Sequence, residues 1–168
     1  MERLLVILVV LVGCKPAPEP PDQNPNPPRL TLQEVVLSLH NDEREMPLEL
    51  DEKLTAAAQD HADWMAERHR MTHSGNGGPG ARITKAGYSW STYGENVAWG
   101  QTSPQEVMSV WMSSRGHRRN IKSGSYADLG VGVAESTSGQ KYWCTTFGST
   151  AYNGEEWSDS WSVSEHEE

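Results

Sequence analysis

Leu32, Val35, Val36 and Leu39 recur at helical spacing and predict an amphipathic helix near the start of the folded region. Thr31 stands as its N-cap, with Glu34 three residues on to complete a capping box, and Pro47 is expected to end it. Leu54, Ala57, Ala58, His61, Trp64 and Met65 repeat the pattern behind Asp51, a good cap, and predict a second helix. "ARITKAGY" fits a short helix closed by Gly87. "SPQEVMSVWMSS" fits another, opened by Ser103 with Pro104 at its first position. "RGHRRNIK" begins a turn or short helix.

The period then changes. "ADLGVGVAES" and "QKYWCTTFG" read as strands separated by the turn residues "TSG", which predicts a hairpin. "YGENVAWG" has the strand residues Tyr93, Val97 and Trp99, with the acid Glu95 at its head. Helices come first and strands cluster late, so the class is α+β with a small antiparallel sheet.

The two ends follow other rules. Leu4 to Val12 is an unbroken apolar run behind Arg3, too short to span a bilayer but fitting the apolar part of a secretory signal. Leu11-Val12-Gly13-Cys14 resembles a bacterial lipobox, whose cysteine is acylated and becomes the mature N-terminus. An ordinary signal peptide containing a cysteine is the competing reading. Lys15 to Arg29 carries seven prolines and reads as an extended spacer. The expected divisions are therefore a signal peptide over 1–13, a lipidated Cys14 and linker over 14–29, a domain over 30–150, and an acidic tail over 151–168.

Charge and cysteine content narrow the partners. Of the net charge of −9, six acids lie beyond Tyr152 with no Lys or Arg among them, leaving the rest at about −3. Without a basic stripe, nucleic acid is excluded as a partner. The only other cysteine, Cys144, lies in a strand-like run and reads as a small buried hydrophobe.

His73 in "MTHSG", Glu95, and His117 in "SRGHRRN" stand at element ends beside glycine or small residues, where sites tend to be built. Singly, each could equally be a solvated polar residue. Together with "HNDER" (His40 to Arg44), "VWMSSRGHRRNI" and "DLGVGVA…YWCTTFG", they follow an order that resembles the CAP superfamily of cysteine-rich secretory, antigen 5 and pathogenesis-related 1 proteins, or SCP domains.

The resemblance implies a three-layer α-β-α sandwich with a small central antiparallel sheet and a cleft across the sheet. It implies that His73 and His117 are the two cleft histidines able to hold a divalent metal, often zinc, and that Glu95 is one of two cleft acids. The second acid would fall at Ser114, which is serine here, so the set is incomplete. Asn96 lines the same cleft, and its amide is expected to tie the strand end. His40 and Arg44 belong to a helix-packing motif.

Neutral imidazoles suit zinc, and a carboxylate can orient an imidazole, bind a metal's water or ligate directly. Two histidines alone make a weak site. Two functions follow as expectations. The first is a monomeric, lipid-anchored module in the bacterial cell envelope, secreted across the inner membrane. It would bind a small-molecule, lipid or envelope ligand, or a metal, without catalysis. The alternative is a zinc-dependent, peptidase-like hydrolase in which His73 and His117 hold the metal and Glu95 activates water.

Overall fold

The computed structural model describes residues 29–150. The N-terminal apolar run, Cys14, the proline-rich stretch to Pro28 and the acidic tail over 151–168, with Trp157, Trp161 and His166, lie outside the described residues.

The helix caps read from the sequence are present. Helix α1 (Leu32–Asn41) opens on a full Thr31–Glu34 capping box, and α2 (Glu52–Arg68) opens with the Asp51 side chain accepting from Leu54 N–H. Helix α3 (Pro79–Lys85) leads into Gly87 at φ +85°. Helix α4 (Pro104–Ser113) starts on the Ser103 hydroxyl, and α5 (Arg115–Lys122) follows it after the single residue Ser114.

Pro47 does not end α1, which stops at Asn41. The physical reason is the Asn41 side chain, which accepts from Leu48 N–H at 2.8 Å and donates to Leu48 C=O at 3.1 Å, folding the chain back on itself. Arg44 therefore lies beyond the helix. It reaches across the molecule to donate to the carbonyls of Ile121, Ser123 and Tyr126.

Strands β1 (Glu49–Leu50), β2 (Trp90–Trp99), β3 (Asp128–Glu135) and β4 (Lys141–Thr150) form one sheet in the order β1-β3-β4-β2. The β3–β4 hairpin and the β2–β4 pair are antiparallel, as expected, but β1 runs parallel to β3, so the sheet is mixed. The second departure concerns β2. It begins at Trp90, and Glu95 is mid-strand opposite Thr146, not at a strand's head. Pairing along β4, rather than local composition, sets where β2 begins.

Alternation along the strands sorts residues onto two faces. On one, Val97, Tyr142 and Cys144 pack against Ala58, Ala62 and Met65 of α2. On the other, Leu129, Val131, Trp143 and Phe147 pack with Val36 of α1 and Val107 and Trp111 of α4. This is the α-β-α sandwich.

Helix α2 sits unusually close to β3. A Cβ added at Gly130 would lie 2.1 Å from the Leu54 backbone, and one at Gly132 would lie 2.4 Å from that of Ala58. The paired glycines let helix backbone touch strand backbone.

At the other side of the sheet, β2 is the terminal strand. The carbonyls of Tyr93, Glu95 and Val97 alternate with residues bonded to β4 and so face outward. Each accepts a side-chain donor: Tyr126 Oη–H at 3.2 Å, Asn120 Nδ2–H at 3.1 Å and Trp111 Nε1–H at 3.2 Å.

Candidate functional site

Because β2 alternates, Glu95 and Asn96 point to opposite layers, and the site grows from both. Asn96 is fully buried. Its amide donates to the His117 carbonyl at 3.2 Å, and its oxygen accepts from Asn120 at 2.9 Å. Two asparagines thus dock α5, and with it His117, onto β2. Asn96 does tie β2 through its amide, but from the middle of the strand rather than its end.

Glu95 faces α2 and α3. His73 Nδ1–H donates to Glu95 Oε1 at 2.8 Å, and Arg82 Nη2 donates to Oε2 at 2.5 Å. The Glu95 and Arg82 side chains are 2% and 1% exposed, whereas that of His73 is 54% exposed. Burial alone would raise the Glu95 pKa, but the His73 bond and the Arg82 charge outweigh it and hold the carboxyl below its usual range. The group is an ionised carboxylate with both oxygens engaged.

His73 lies on the loop after α2. His61 Nε2–H, buried beneath it, donates to the Thr72 carbonyl at 2.7 Å. Arg82 donates to the carbonyls of His73 and Gly75, and Asn76 donates to Asp60 at 2.8 Å. His61 is therefore a buried histidine with one nitrogen partnered and Nδ1 without a partner.

The rings of His73 and His117 stand 6.5 Å apart at 48°. They approach from the two helical layers around the outer edge of β2. Burial, with the nearby His73, lowers the His117 pKa and favours its neutral, metal-competent form. Its Nδ1 is buried without a partner. Ser114, at the α4–α5 junction where the second acid would fall, is half-buried and makes no capping bond to α5.

A zinc ion suits part of this donor set. His73 commits Nδ1–H to a carboxylate, the arrangement that fixes a metal-ligating imidazole and, in the neutral ring, leaves the Nε2 lone pair to give. Among the described residues, no group of three or more His, Cys, Asp or Glu is placed to hold a metal ion.

Sequence reasoning missed Arg82. An acid within an apolar strand signals that a cation must meet it, and Arg82 and Lys85 both precede β2. Nothing local chooses between them. Cys144, also missed as a site neighbour, is a fully buried thiol whose Sγ donates to Glu95 Oε2 at 3.6 Å. Burial, and next the Glu95 charge, push its pKa up, so it stays protonated.

A profile of the cysteine-rich secretory protein (CAP) family matches residues 37–147. The chain is 37% identical over 112 residues to the uncharacterized protein YkwD of Bacillus subtilis, covering 63% of this chain and 44% of that one. It thus spans less than half of YkwD's length. Pathogenesis-related protein 1 of Arabidopsis thaliana is 29% identical over 119 residues, 67% of this chain and 60% of its own.

Two solved structures share the fold. An outer surface protein of Borrelia burgdorferi has a TM-score of 0.62 at 23% identity, over 70% of this chain and 88% of that one. An extracellular protein containing a SCP domain from Bacillus anthracis has a TM-score of 0.62 at 24% identity, over 69% of this chain and 39% of that one.

Proposed function

The chain belongs to the cysteine-rich secretory protein family, and from that membership we propose that it is an extracytoplasmic binding module held at a membrane through lipidated Cys14. His73 and His117 would form the ligand- or metal-binding pair in its cleft. The descriptions of similar structures as an outer surface protein and an extracellular protein support secretion. The apolar run and the lipobox-like Leu11-Val12-Gly13-Cys14 support the anchor.

The observation that carries binding over hydrolysis is the state of Glu95. Both its oxygens are bonded, one to His73 and one to Arg82, and its side chain is 2% exposed. A general base must reach the proton that it takes. Glu95 can instead orient His73, and with serine at position 114 no second acid takes over. A bound zinc would supply an open coordination position for an anionic or carbonyl group.

Zinc titration of the full chain by calorimetry tests the site, with weakened or lost binding expected in His73→Ala and His117→Ala. Equal binding by wild type and both variants would defeat the assignment. Sustained turnover of a peptide or cell-wall substrate that disappears in Glu95→Gln would establish the hydrolase instead. A Cys14→Ala chain that stayed in the membrane fraction would refute the anchor.

A further inference from the structure

Arg82 is enclosed on a seven-residue helix, and its contacts lead back to one loop. Nη2 donates to Glu95 Oε2 at 2.5 Å, and the other Glu95 oxygen takes the His73 Nδ1–H at 2.8 Å. Nη1 and Nη2 both reach the His73 carbonyl at 3.3 Å. The four links close a ring through the imidazole, the carboxylate, the guanidinium and the backbone of His73 itself. Nη1 also donates to the Gly75 carbonyl, holding the next turn of the loop.

Stability alone does not account for this group, since apolar residues of similar size often replace a buried ion pair without loss. Its geometry constrains orientation. Turning the His73 ring over breaks the Glu95 bond, and sliding the loop breaks the carbonyl bonds. A planar guanidinium can hold the carboxylate and the backbone oxygens together, which a lysine ammonium on its flexible stem does poorly.

We infer that Arg82 is a positioning residue for His73. Through Glu95 and the His73 carbonyl it fixes the Nδ1–H tautomer and reserves Nε2 for a ligand. That a metal uses Nε2 rests on the function proposed above; the fixing of the tautomer does not.

Long-range proton–nitrogen correlation spectra of the metal-free full chain resolve the two His73 ring nitrogens, with His73→Ala identifying their signals. In the neutral ring of wild type, Nδ1 is expected to carry the proton and Nε2 to be bare. Arg82→Gln and Arg82→Lys should turn this single tautomer into a mixture. Zinc affinity, measured in parallel, should fall about tenfold or more, as it does when a ligand's supporting partner is removed.

Should Arg82→Gln fail to fold, Arg82→Lys, which keeps a cation beside Glu95 but loses the planar fork, carries the same expectation. An unchanged single tautomer in the folded variants overturns the inference, because a purely structural arginine would leave it untouched. If wild type binds no zinc while the tautomer still responds to Arg82, the proposed metal role fails and the positioning role stands.

Discussion

His40 is fully buried, with ring centres 5.8 Å from Trp111 and 5.6 Å from Phe147. Its Nδ1–H donates to the Val36 carbonyl at 2.8 Å, and Nε2 has no partner. Burial pushes its pKa down from 6.5 to about 4. The folded state therefore refuses a proton that the unfolded chain accepts. Above pH 6.5 this costs nothing; as pH falls from there toward 4, stability is lost progressively. The full loss is about 3 kcal/mol at one pKa unit per 1.36 kcal/mol. Urea unfolding at pH 7 and pH 4.5 measures it, and His40→Leu should flatten the difference. His61, also lowered by burial, adds in the same direction.

Between elements, the tightest constraint is backbone against backbone where α2 meets Gly130 and Gly132. In Gly132→Ala the new Cβ would meet the Ala58 backbone at 2.4 Å, and no side chain can rotate away to make room. Helix α2 must lift, at a cost of about 1–3 kcal/mol for overpacking. Chemical denaturation should show the loss, while Gly116→Ala, with nothing within 4 Å of its added Cβ, should lose less.

The elements also show what a sequence can reveal. The caps at Thr31, Asp51 and Ser103 depend on neighbours three residues away and were legible. Pairing is nonlocal. Strand β1 is two residues long and exists because of β3, and β2 extends back to Trp90 because β4 reaches Thr150. The same limit applies at the site. His73, Glu95 and His117 were legible through motifs, whereas Arg82 is chosen by how α3 packs against β2, and Asn120 by how α5 does.

At the scale of the whole domain, the two rims of the sheet differ. Strand β1 covers only Asp128 and Leu129 of β3 on one, whereas Tyr126, Asn120 and Trp111 occupy the outward carbonyls of β2 on the other. An open strand edge is a template on which another chain can add, the first step toward swapped dimers and fibrils. Chains at high concentration would meet such edges often. The three donors would act as stoppers against that growth, and all three come from the layer that carries His117: Trp111 from α4, Asn120 from α5 and Tyr126 from the loop before β3. Removing two stoppers in Asn120→Ala/Tyr126→Phe should raise light scattering and amyloid-dye binding in concentrated solution, relative to wild type, before any loss of helical circular dichroism. The side chains that bond the outward carbonyls of β2 would thus also keep the domain from becoming a seed for its own copies.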